Sequence, residues 1–97
     1  MSFRVELHAD VAEDLERIRA HLDRWKVDDA GGRLLGILAA LRVLERSPRI
    51  GRPAGEHREL VIGEGAQVWV ARYRVDALDR AVVVLAIRHG KEDGFRR

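Results

Sequence analysis

Cysteine and threonine are missing from this sequence, and lysine is nearly so, with only Lys26 and Lys91 among its 97 residues. Without cysteine there are no disulfides and no thiolate metal sites. Without threonine the aliphatic hydroxyls reduce to Ser2 and Ser47. Ser2 lies near the terminus and Ser47 fits the end of a helix, so a Ser-His-Asp nucleophile is not expected. The four histidines, His8, His21, His57 and His89, are scattered without metal-ligand spacing, and neither a metal nor another cofactor is expected. Long apolar runs are also wanting. None approaches the ~18 residues that cross a membrane, and Met1 to Glu6 carries no apolar core of a secretion signal. The expectation is a cytoplasmic protein.

What is present is a composition of 46% hydrophobic and 35% charged residues, that of a folded chain. The length suits one domain spanning 1–97. The net charge of +2 is unevenly spread, with −3 over residues 1–30 and +5 over residues 31–97. Sixteen of the eighteen cations are arginine. Two origins fit: a GC-rich coding sequence, or a partner rich in carboxylate or phosphate, which the guanidinium fork suits.

Hydrophobic periodicity orders the elements. Phe3, Val5 and Leu7 alternate with Arg4, Glu6 and His8, the period of a half-buried strand. Asp10 with Glu13 three places on resembles a capping box. Val11, Leu15, Ile18, Leu22 and Trp25 then form the apolar stripe of a helix, whose other face carries Glu13, Asp14, Glu16, Arg17 and Asp23. Asp28 or Asp29 caps a second helix, with Leu34, Ile37, Leu38, Leu41 and Leu44 on its apolar side. In it Gly36 permits close approach to the first helix, whereas Gly31 and Gly32 loosen the first turn. Ser47-Pro48 ends it. Residues 48–56 read as a loop from their glycine and proline content.

Three strands follow: about His57 to Ile62, Gln67 to Val75, and Arg80 to Arg88. They are separated by turns at Gly63-Glu64-Gly65 and at Asp76 to Asp79. Gly63-x-Gly65 lacks the lysine and the following helix of a phosphate loop and reads as a hairpin turn. The expected fold is α+β, an antiparallel sheet packed on an N-terminal helical hairpin in the order β-α-α-β-β-β. Trp69, Ala71, Tyr73 and Val75 share the face under the helices, because the rings need most burial. Arg72 and Arg74 then point to the open face. In the last strand Val83, Leu85 and Ile87 fit the helix side, with Val82, Val84, Ala86 and Arg88 open. Exposed valines among arginines make poor water surface; either a loop or the C-terminal tail covers them while the arginines snorkel, or, the favoured reading, this is a binding face.

In this order the pieces resemble the RelE/ParE toxin superfamily along nearly the whole chain. The matching residues are Val5-Glu6-Leu7, Ala12-x-x-Leu15-x-x-Ile18, Ser47-Pro48, Gly51-Arg52-Pro53, Arg58-Glu59-Leu60, Tyr73-Arg74-Val75 and Val84-Leu85-Ala86-Ile87-Arg88-His89-Gly90. The resemblance implies a toxin neutralised by a cognate antitoxin that wraps a flexible segment around it, over the helix-hairpin groove or the open sheet face. Its two main branches differ: RelE-like members cut messenger RNA in the ribosome, and ParE-like members block DNA gyrase without nuclease activity. RelE-like cleavage needs a set of cations with an aromatic hydroxyl or histidine near the C-terminus. Here Arg58 is the one permanent cation of its strand, and the tyrosine position falls on Phe95. The Gly51-Arg52-Pro53 loop also resembles ParE-like members, so the gyrase branch is favoured. Arg52, Arg58, Arg72, Arg74 and Arg88 are then expected to meet antitoxin or target. In the alternative, an mRNA endonuclease, Arg58, Arg72, Arg88, His89 and Lys91 would carry the chemistry.

Overall fold

The computed structural model describes residues 2–24, 29–63 and 68–90. The readings made above for Trp25, Asp28, Glu64, Gly65, Gln67, Lys91 and Phe95 lie outside them. The elements run β1 (Arg4–Leu7), α1 (Ala9–Arg24), α2 (Ala30–Ala40), a 3-10 turn (Leu41–Glu45), β2 (Arg52–Ala54), β3 (His57–Ile62), β4 (Trp69–Asp76) and β5 (Ala81–His89). The class is α+β, as read. The sheet, however, has five strands in the order β1-β5-β4-β3-β2. It is mixed: β1 runs parallel to β5 and the other neighbours are antiparallel. The fifth strand is β2, inside the stretch expected to be loop. Its Pro53 lacks an N–H for a ladder, which confines such a strand to the sheet edge, where β2 sits. Among the described residues no helix is long and apolar enough to cross a membrane.

One face of the sheet is roofed by the helices. Val11, Ile18 and Leu22 of α1, with Ile37, Leu41 and Leu44 further on, pack over Trp69, Ala71, Tyr73, Val82, Val84 and Ile87. Tyr73 is fully buried and Trp69 is 6% exposed, so the ring-bearing face of β4 lies where the sequence put it. The assignment for β5 is wrong over half its length. Val82 and Val84 lie in the core, not on the open face, and Val83 sits opposite Arg74. The cause is a β-bulge: Arg72 pairs with Ala86 and Tyr73 with Val84, leaving Leu85 as an extra residue. One extra residue exchanges the two faces of a strand. Ile87, beyond the bulge, regains the helix side.

The helices depart from expectation in similar detail. Helix α1 begins at Ala9, so Asp10 lies within it and no Asp10–Glu13 capping box forms. The cap is His8, whose Nδ1 accepts from the Asp10 amide at 3.1 Å. Asp14, read as solvent-facing, is 5% exposed. Asp29 caps α2 in a left-handed conformation (φ 57°) and accepts from the Gly32 amide at 3.1 Å. A Cβ on Gly32 would lie 2.0 Å from the Asp29 Oδ2. This glycine makes room for the cap and is not mere slack. A Cβ on Gly36 would meet nothing within 4 Å, which removes the close-approach role expected for it.

Candidate partner-binding surface

The open face is built by strand register. Glu59 on β3 lies opposite Arg72 on β4, and Arg52 on β2 lies opposite Glu59. All three side chains therefore leave the same face. Glu59 Oε1 accepts from Arg52 Nε at 3.2 Å, and its Oε2 stands 3.5 Å from Arg72 Nη2. Arg74, two residues along β4, is exposed. A shallow cleft of about 150 Å³ is lined by Arg52, Glu59, Val70, Arg72, Arg88, His89 and Gly90. Glu59 was not singled out in the sequence. Its signal was available only once the register placed it between two arginines.

Arg88 behaves differently. Its guanidinium reaches round the sheet edge to Asp14 of α1, and the residue is 7% exposed. Among the described residues no strand lies beside β5 beyond Leu7, and α1 takes over that edge. Asp14 Oδ2 accepts from the Ile87 amide at 2.9 Å, while Arg17 Nη2 donates to the Ile87 carbonyl at 3.0 Å. Arg17 Nη1 also donates to Asp14 Oδ1 at 2.8 Å. Two helix side chains thus satisfy the backbone groups a missing strand would have paired. Burial alone would raise the Asp14 pKa. Hydrogen bonds from Arg17, the Ile87 amide and Arg88, with the charge of Arg88, outweigh it and hold the carboxyl below its ordinary value.

Arg58 shares the helix-side face of β3 with Leu60 and Ile62, opposite Tyr73. Its Nη1 donates to the carbonyls of Arg49 and Gly51 at 3.1 and 2.8 Å. The Tyr73 hydroxyl accepts from the Gly51 amide at 2.8 Å. A Cβ on Gly51 would fall 2.6 Å from that hydroxyl and 2.7 Å from the Glu59 carbonyl. The Gly51-Arg52-Pro53 signature is therefore a clamp: glycine against the tyrosine, arginine on Glu59, proline at the edge. His89 also faces the helices. Its ring stands edge-on to Trp69 with centroids 4.8 Å apart and lies 5.8 Å from His21.

The residues of the nuclease alternative are consequently divided. Arg72, Arg88 and His89 line one cleft, with Arg88 bound to Asp14 and the His89 ring against Trp69, whereas Arg58 lies apart on the helix side of β3. Of the five arginines expected to bind a partner, Arg52, Arg72 and Arg74 share a face, whereas Arg58 and Arg88 make internal bonds.

The family model for the ParE toxin of the type II toxin–antitoxin system parDE matches residues 5–94. The chain belongs to the ParE toxin family. No curated protein matches it in sequence. Among solved structures, a chain of the chromosomal ParDE toxin–antitoxin system from P. aeruginosa superposes with a TM-score of 0.74 at 20% identity, covering 90% of this chain and 95% of that one. A chain of the RelBE2 toxin–antitoxin complex from Mycobacterium tuberculosis gives 0.65 at 20% identity, over 92% and 99%. The archaeal RelE–RelB complex from Pyrococcus horikoshii OT3 gives 0.57 at 17% identity, over 95% and 99%. At such identities the likeness is one of fold, shared by ParE and RelE proteins alike. Within the ParE fold as this chain builds it, the clamp on Gly51 and the Asp14 edge site hold the sheet together, and the Arg52–Glu59–Arg72 row faces outward.

Proposed function

We propose that this ParE-family toxin inhibits DNA gyrase by binding, without bond-breaking chemistry of its own, and is neutralised in the cytosol by a cognate antitoxin. The observation that carries the reading is that groups an RNA-cleaving site would need are already engaged within the fold. Phosphoryl chemistry of that kind needs charge and a proton donor converging on one phosphate. Here Arg88 is neutralised by Asp14 at the sheet edge, Arg58 supports a loop backbone, and the His89 ring packs against Trp69 on the helix side. What is left on the open face, Arg52, Arg72 and Arg74 around Glu59, is suited to a polypeptide surface with charges of both signs.

The test is supercoiling of relaxed plasmid by purified gyrase with added toxin. Inhibition relieved by the antitoxin, whose coding sequence is expected beside this one, is the result the reading requires. Unaffected supercoiling at high toxin excess, together with cuts in ribosome-bound messages mapped by primer extension, would move the chain to the mRNA endonuclease reading.

A further inference from the structure

Charge compensation over this surface is uneven. Arg52 and Arg72 share Glu59, Arg17 and Arg88 share Asp14, and Arg4, Arg19 and Arg42 hold Asp79, Asp23 and Glu45. Arg49, Arg58 and Arg74 are among the described arginines that hold no carboxylate, as are Arg46 and Arg80, but these three line one cleft of about 280 Å³. It lies at the start of β3, where the turn after β2 folds beside Arg74. His57 and Val75 complete its walls, and Glu56 is the one acid among the described residues lining it. Arg58 is fixed there by its two bonds to the loop carbonyls, so part of the ordering needed for binding is already done. Three arginines against one glutamate leave the cleft with a net positive charge, which an anion placed in it offsets.

We propose that this cleft receives a cluster of Asp or Glu carboxylates from an acidic segment of a partner polypeptide; the identity of that partner as the antitoxin rests on the toxin–antitoxin reading above. A polypeptide fits better than a nucleic acid. Single-stranded RNA is gripped by stacking successive bases on several rings, whereas among the described residues lining the cleft the one aromatic ring is that of His57, half-buried. Beside Arg49 the surface offers Ile50 instead, 57% exposed. An apolar rim next to cations suits a chain of alternating acidic and apolar side chains.

The probe is a hexaglutamate peptide with blocked ends and a fluorescent label, titrated by anisotropy against the full chain at low ionic strength, where surface charges are least screened. Saturable binding is expected, weakened about tenfold when Arg49→Gln and Arg74→Gln are combined. Arg46→Gln, an exposed arginine outside the cleft, should leave it unchanged. If the double variant fails to fold by circular dichroism, Arg74→Gln alone should still give a measurable part of the loss. Absence of saturable binding overturns the proposal, as does an equal loss with Arg46→Gln. Tighter binding of an RNA oligomer of equal charge, lost in the same variants, overturns it in favour of nucleic acid. The titration contains neither gyrase nor antitoxin. Intact peptide binding without gyrase inhibition would thus sink the functional reading alone, and the converse would sink only the cleft.

Discussion

Replacing Asp14 by alanine is expected to bring the isolated toxin close to its unfolding limit. The side chains of Asp14 and Arg88 are 7% and 9% exposed, so their pairing is sheltered from solvent, while Arg17 is 44% exposed. Breaking a buried pair by removing one partner costs about 3–5 kcal/mol, because the remaining charge stays desolvated. The Ile87 amide loses its acceptor as well, worth about 1–3 kcal/mol by itself. These losses overlap in one network and do not add, and the exposed Arg17 contact contributes about 0–1 kcal/mol. A net loss of about 3–5 kcal/mol follows, against a total of roughly 5–15 kcal/mol for a domain of this kind. Urea unfolding followed by tryptophan fluorescence, on toxin separated from its antitoxin, measures it. Adding Arg88→Met should return part of the loss, since a buried pair replaced as a unit by apolar groups is often neutral. The acid side gives a second check. Because folding lowers the Asp14 pKa, its contribution is complete above the unfolded carboxyl value of about 4 and fades as pH drops through the lower folded value. The gap between wild type and variant should narrow over that interval. A loss under about 1 kcal/mol, or strict additivity of the two substitutions, would refute the claim that this pair closes the sheet edge.

Other substitutions test other parts of the fold. Tyr73→Phe strands the buried Gly51 amide and should cost about 1–3 kcal/mol by the same unfolding assay. Gly51→Ala drives a methyl into the Tyr73 hydroxyl and the Glu59 carbonyl, and should be destabilising by about 1–3 kcal/mol, visible as a lower Tm. Gly36→Ala should raise stability by roughly 0.5–1 kcal/mol, because the methyl enters open space within α2; a lower Tm would mean the space is not open. Arg74→Glu, on an exposed side chain, should leave the unfolding midpoint unchanged and weaken the antitoxin complex measured by calorimetry. Unchanged affinity would place the antitoxin on the helices instead.

Local pattern was enough for much of this. Alternation in β4 placed Trp69 and Tyr73 on one side and Arg72 and Arg74 on the other, since a pleated strand sends neighbours to opposite faces. The 3.6-residue stripe of α1 likewise named Val11, Ile18 and Leu22 as core. The strand at Arg52–Ala54 was missed because its three residues include a proline and are flanked by glycines. Asp14 was misplaced because a carboxylate on a helix normally faces water. Its burial depends on Arg88, distant in the chain, and on the Ile87 amide.

From Ala81 to Ile87 every side chain is apolar, so either alternation of faces was compatible with the sequence, and a one-residue bulge left no trace in it. Neighbours a few residues apart in the chain set the two helices, four of the five strands and the side of β4 that turns inward. Which valines of β5 are buried, which arginines meet a carboxylate, and which three line one cleft follow from the assembled fold alone. Those outcomes depend on strand register and on pairs far apart in the chain, where the free energy of burial and of charge pairing is settled between elements.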